Sequence, residues 1–89
     1  MSFAHLVFSS DGVRPLAALA ERSGGIVVDI VGGDPHRVDR LLALGVAPGA
    51  CVTMLQRYPG IVFLCDQTEL AVEREVAEAI LIRPTEGQS

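Results

Sequence analysis

The sequence predicts a mainly β fold: a small, partly open β-barrel of about five strands, with short helices and one central helix after the first strand. Three observations predict it. Short β-branched and apolar runs alternate with tight turns such as Pro48-Gly49 and Pro59-Gly60. One stretch, Asp34 to Gly45, combines helical spacing with start and stop signals. The chain has 89 residues, and a chain of that size buries roughly 63% of its unfolded surface, enough for one modest core.

Residues 1 to 13 read as a lead-in that ends in the turn-like Ser9-Ser10-Asp11-Gly12. A short helical segment is expected from Pro15, with Leu16, Leu19 and Ala20 on one face, stopped by Ser23-Gly24-Gly25. Ile26 to Val31 is short and β-branched and gives the first strand, which Gly32-Gly33 breaks. Asp34-Pro35 then has the form of a helix N-cap followed by proline at the first helical position. Val38, Leu41 and Leu42 follow at i, i+3 and i+4, a single apolar stripe. Gly45 ends the helix, and Val46 is expected to fold back towards Leu41 in a Schellman arrangement.

Ala47-Pro48-Gly49-Ala50 suits a type II turn, with glycine where φ is positive. Strands are expected over Cys51 to Tyr58, Ile61 to Cys65 and Leu70 to Val72, joined by Pro59-Gly60 and Asp66-Gln67-Thr68. Glu73 to Ala79 reads as a brief helical turn with Val76, Ala79 and Ile80 on one face, and Leu81-Ile82 as a last strand stopped by Pro84. The fold thus occupies residues 14–84, leaving 85–89 as a tail.

Composition narrows the function. Hydrophobic residues make up 49% of the chain and the mean hydropathy is +0.40, which excludes intrinsic disorder and leaves apolar surface to meet a partner. Seven arginines and no lysine face eleven acids, for a net charge of -4. With no basic cluster to neutralise phosphates, nucleic acid is not expected as a ligand. No apolar run is long enough to span a membrane, and residues 1 to 10 lack the basic start of a secretory signal. A cytoplasmic protein with no direct membrane insertion is the expectation.

The run Arg40-Leu41-Leu42-Ala43-Leu44-Gly45-Val46-Ala47-Pro48-Gly49, with Val52-Thr53-Met54-Leu55 after it, resembles the RLxxLGxxPGxxVxVL signature of FeoA domains. The stretch from Glu69 to Ile82 is similar to the closing segment of the same domains. The resemblance covers about residues 14 to 84 and implies an SH3-like barrel, found either alone beside the ferrous-iron transporter FeoB or at the C-terminus of DtxR-type metal-dependent repressors. The chain starts without a winged-helix segment, so the stand-alone form fits better. The implied function is that of a non-enzymatic cytosolic accessory of ferrous iron uptake that binds the cytosolic part of FeoB. The alternative is a regulatory module like the repressor C-terminal domain. One departure is the loop between the two central strands: many FeoA proteins carry a longer one than Tyr58-Pro59-Gly60-Ile61.

Three candidate sites follow. The corner formed by Leu44, Gly45, Val46, Pro48 and Gly49 sets a rigid turn beside apolar side chains; Leu44 or Val46 is the expected partner contact, against a purely structural role for the glycines. Asp34, His36 and Asp39 place one histidine near two acids at the start of the helix and form the candidate metal site, for iron or zinc, although no cofactor is required. A cap and two solvated surface groups are the competing reading. Val62 and Leu64 lie on the face of their strand away from Phe63 and need a cover, either the N-terminal segment with Phe3, Leu6 and Phe8 or a second subunit in a homo-oligomer.

The two cysteines lack zinc or redox spacing. A two-residue Pro59-Gly60 turn sets Cys65 opposite Met54 and Cys51 opposite Thr68, roughly 10 Å out of register along the strand and too far apart for a disulfide. Cys65 is expected in the core with Ile61 and Phe63, and Cys51 on the other face. No serine lies near a histidine and acid pair, and the glycines match no phosphate-binding loop, so catalysis has no candidate.

Overall fold

A computed structural model describes residues 12–32 and 34–85. Six antiparallel strands form one sheet in the order β1-β6-β2-β3-β4-β5. They are β1 (Arg14–Pro15), β2 (Gly24–Ile30), β3 (Cys51–Gln56), β4 (Ile61–Cys65), β5 (Thr68–Val72) and β6 (Ile80–Pro84), with helices α1 (Pro35–Ala43) and α2 (Arg74–Ala79). The fold is the mainly β, open SH3-like architecture expected, with six strands rather than five. The N-terminal side chains Phe3, Leu6 and Phe8 lie outside the described residues.

The additional strand, β1, falls where a helix was expected to begin. Leu16–Ala18 is a single 3-10 turn, and it buries Leu16, Ala17 and then Leu19, whereas Ala20 is exposed. Gly24 and Gly25 do not stop a helix; they open β2. A Cβ on Gly25 would lie 2.5 Å from Ile82 Cγ2 and 2.6 Å from the Arg83 carbonyl oxygen, and one on Gly24 would lie 2.8 Å from that of Val52. Both residues are glycine because β2 is pressed between β6 and β3, a demand made by distant chain and invisible in local sequence. Pro84 likewise ends within β6, at the sheet's limit, rather than stopping the strand before it.

Helix α1 follows its signals. The Asp34 carboxylate accepts from the His36 N–H at 3.0 Å, and Pro35 takes the first helical position. At the other end Gly45, at φ 95°, donates to Leu42 O at 3.0 Å and Val46 donates to Leu41 O at 2.9 Å. These are the paired bonds of the Schellman motif. Ala50 N–H then bonds Ala47 O at 2.9 Å across the type II turn, with Gly49 at φ 97°. The corner between α1 and β3 is therefore closed by its own backbone.

The β3–β4 hairpin corrects the expected register. Val52 pairs with Cys65, Thr53 with Leu64 and Met54 with Phe63, after which the ladder shifts so that Gln56 pairs with Val62. Pro59-Gly60 is not a two-residue turn. Strand β3 ends at Gln56, short of the expected Tyr58; a bulge at Leu55 and the loop from Arg57 to Gly60 absorb the difference. Cys65 thus faces Val52, not Met54, while its assignment to the core face stands: Ile61, Phe63 and Cys65 are all buried. Cys51 is exposed, and both thiols are free.

The core is one cluster between the sheet and the short helices, centred on Phe63, Met54, Leu16, Ile80 and Ile82. Among the described residues no polar or charged side chain is buried. Helix α2 leads from the outermost strand, β5, directly into β6 on the other side of the sheet and packs against the 3-10 turn and β1.

Candidate functional site

The corner presents Leu44 and withholds Val46. Leu44 is 47% exposed, whereas Val46 is completely buried beneath it. The expectation that either could meet a partner thus narrows to Leu44, flanked by the exposed Gly45, Pro48 and Gly49. Burial of Val46 follows from the Schellman motif, whose returning residue packs onto the helix it ends. The Cys65 thiol, buried beside the corner, lies 3.5 Å from the Gly45 carbonyl oxygen and ties β4 to it. Burial, reinforced by the Asp66 carboxylate and then by Cys51, raises the Cys65 pKa above its ordinary value, so this sulfur stays protonated at neutral pH and is a poor metal ligand.

Asp34, His36 and Asp39 are exposed at the start of α1. Asp34 spends one carboxylate oxygen on the cap. Among the described residues no three His, Cys, Asp or Glu side chains are grouped so as to hold a metal ion. Asp34 is the cap residue of α1, and His36 and Asp39 stand at i, i+3 on the helix it opens.

Two hollows flank the far edge of the sheet. One, of about 400 Å³, lies between α1 and the junction of β5 with α2; Leu41, Leu44 and Val76 give it an apolar floor, and His36, Arg37 and Arg40 rise from the helix side. Arg37, on its rim, reaches Glu75 of α2 at 3.3 Å and ties the two helices together. The other, of about 450 Å³, lies over Val62 and Ala71 and is rimmed by Pro59, Gly60 and Arg74. Both hollows include Ala71, Val72 and Glu73. Val62 and Leu64, expected as an outward apolar pair, are half-buried on this outer face, opposite Ala71 and Glu69 of β5.

Beside the second hollow, the loop after β3 is held by arginines. The Arg74 guanidinium donates to Arg57 O at 3.0 Å and stands 5.0 Å from the Tyr58 ring centroid, with that of Arg57 at 6.0 Å. Arg57 itself donates its N–H to Glu21 at 3.2 Å and its guanidinium to Ala17 O at 3.4 Å. Tyr58, 68% exposed, thus has two guanidinium groups within cation–π range of its ring. Sequence reading missed this group because its members come from three separate segments; the adjacent Arg57-Tyr58 was the one visible sign.

A family model for the FeoA domain matches residues 14–84. The chain belongs to the FeoA family. A crystal structure of an iron uptake regulatory protein, FeoA, is 28% identical, with TM-score 0.74, over 82% of this chain and 99% of its own. Stenotrophomonas maltophilia FeoA, an SH3-domain protein solved with zinc, is 19% identical with TM-score 0.68, over 76% of this chain and 87% of its own. The same fold recurs in a manganese-dependent transcriptional repressor solved with manganese, 21% identical with TM-score 0.77; 82% of this chain matches only 37% of that one. A comparison with curated protein sequences gives no match. Among the described residues no helix is long and apolar enough to cross a membrane.

Proposed function

We propose that this FeoA protein is a non-enzymatic, cytosolic accessory of ferrous iron uptake that binds the cytosolic part of an FeoB-type membrane transporter. One observation carries the reading: the fold matches an iron uptake regulatory protein over 99% of that protein's length, so the shared unit is the whole of that relative rather than a fragment of something larger. The exposed Leu44, set on a corner whose backbone bonds are complete, gives a rigid apolar contact of the kind a partner surface recognises. No metal is part of this reading. Heat on titrating Zn²⁺ or Fe²⁺ into the protein, removed by His36→Ala, would add a metal site at Asp34, His36 and Asp39 to it.

The test is co-purification with the cytosolic domain of the cognate transporter, with and without guanine nucleotide. Retention in either state, lost in Leu44→Glu while the melting curve stays within a few degrees, is expected. Failure in both states overturns the proposal. A second reading, a regulatory module like a repressor C-terminal domain, draws on the likeness to the manganese-dependent repressor; binding to a winged-helix repressor in place of the transporter domain would favour it.

A further inference from the structure

The sheet buries one face and leaves the other to itself. On β3 and β4 the residues Val52, Met54, Ile61, Phe63 and Cys65 belong to the core, so by the alternation of a strand Thr53, Val62 and Leu64 face the other way. On β2 the buried Val27 sets Ile26 on that same outer face, opposite Cys51, which is exposed at the border. Thr53 lies opposite Leu64. Ile26, Val62 and Leu64 are half-buried, yet none is part of the core cluster or packed against it. Leu16, Leu41 and Ala77, from the 3-10 turn and the two helices, all enter the core on the inner side. An apolar stripe therefore crosses the outer face of three central strands. Arg83, opposite Ile26, and Glu69, opposite Leu64, border it with charges of opposite sign.

The chain carries a segment of matching chemistry. Among residues 1–11, which precede the described residues, Met1, Phe3, Ala4, Leu6, Val7 and Phe8 are apolar, and no Asp, Glu or Arg comes before Asp11. Two of the three phenylalanines of the protein are in this segment, and the third is Phe63 of the core. Apolar surface of that extent is driven out of water, and a neutral segment meets no repulsion from either border of the stripe. Its attachment point is also suitable. Strand β1 is antiparallel to β6, with Arg14 opposite Ile82, so the chain before β1 lies towards the end of β6 that holds Arg83 and Pro84. Those two residues pair with Ile26 and Gly25, and Gly12 lies in a turn there. From β1 to β4 there are four strand spacings, about 19 Å, whereas eleven extended residues reach about 36 Å. A short tether gives such a segment an effective concentration in the millimolar range, which a second copy of the chain at micromolar concentration does not match.

We propose that residues 1–11 turn at Gly12 and lie across the outer face of the sheet, covering Ile26, Thr53, Val62 and Leu64, with Phe3 and Phe8 as anchors. The hollow of about 450 Å³ over Val62 has room for a phenylalanine ring. The segment acts as a strap of the chain's own, occupying an apolar surface that another protein would otherwise meet. The inference is independent of the transporter, since its test uses this protein alone.

Cys51, exposed at the border of the stripe, serves as the reporter. In the full chain carrying Leu6→Cys or Val7→Cys, whose side chains point to alternate sides of an extended segment, a short bismaleimide should join the new thiol to Cys51. The product is a monomer on denaturing electrophoresis that has gained the mass of one linker; Cys65 is protected by burial. Phe3→Ser combined with Phe8→Ser should lower the melting midpoint by about 5 °C or more and leave the circular dichroism spectrum of the folded state unchanged. Leu64→Ser should lower the midpoint less in that background than in the wild-type chain, because residues in contact are not additive. Where Leu64→Ser does not fold, Val62→Ser takes its place. No link within the chain in either cysteine variant, an unchanged midpoint in the phenylalanine variant, or additive effects overturns the proposal. So do links between chains accompanied by a dimer in sedimentation velocity, which would make the cover a second copy.

Discussion

The two edges of the sheet are finished differently. At one, β1 is only two residues long, ends in proline, and is backed by the 3-10 turn and α2. At the other, β5 has five residues, three of them exposed, and among the described residues it pairs with β4 alone, beside two hollows. A proline in a two-residue edge strand leaves little for another chain to pair with, whereas β5 leaves a template. The closed side holds the close approach of β2 to β6 at Gly25, and the other holds an edge strand that pairs on one side among the described residues. Substitutions on the closed side should therefore cost more stability than those on the open side.

The largest effect is expected at Gly25, where β2 touches β6. Gly25→Ala inserts a methyl group 2.5 Å from Ile82 Cγ2 and 2.6 Å from Arg83 O, and should cost about 3 kcal/mol, at the upper end for overpacking. Urea denaturation measures it, and a loss below about 0.5 kcal/mol, within the range of an ordinary surface change, would mean that the strands separate easily and the closed side is not rigid. Gly45→Ala is next. The space around it is open, but φ is 95°, so the cost is that of a left-handed alanine, about 1–2 kcal/mol. An unchanged midpoint would show that the corner can close without the Schellman bonds.

A smaller effect concerns the two faces of the sheet. Iodoacetamide should modify Cys51 rapidly and leave Cys65 protected until the protein unfolds. The raised pKa of Cys65 fixes the sign of its pH dependence. Above the ordinary thiol range of about 8.5 the unfolded chain has lost this proton while the folded chain still holds it, so stability falls as pH rises. Cys65→Ala should flatten that alkaline slope, and a slope unchanged by the substitution would place the thiol in contact with water. The smallest effect belongs to the open side. Arg37→Ala breaks an exposed ion pair at 3.3 Å and should shift stability by less than about 0.5 kcal/mol. A larger loss would make the Arg37–Glu75 bridge a structural tie between α1 and α2.

What could be read in the sequence follows the range of the forces involved. Helix α1, its Asp34 cap and the Leu44–Gly49 corner are specified by residues within one or two turns of each other, and their patterns translate directly into bonds. The β3–β4 register was not legible, because the bulge at Leu55 and the loop through Tyr58 replace the simple turn that Pro59-Gly60 suggests. Gly24-Gly25 looked like a helix stop for the same reason: the need for glycine comes from Ile82, Arg83 and Val52, far along the chain. For the candidate site the sequence offered Leu44 and the outward pair Val62 and Leu64. It could not offer Ala71, an unremarkable residue until two hollows and an unpaired edge converge on it.

Helix α2 also limits how far the barrel can open. Its six residues rise about 9 Å at 1.5 Å per residue, and with the extended Glu73 the chain from Val72 to Ile80 reaches about 16 Å at most. The strands it joins, β5 and β6, have β4, β3 and β2 between them, and laid flat they would stand roughly 19 Å apart at the usual strand spacing. The sheet must curl until the two fit the helix. One short segment thus caps how far these two strand ends can part, and lengthening it should let them stand further apart.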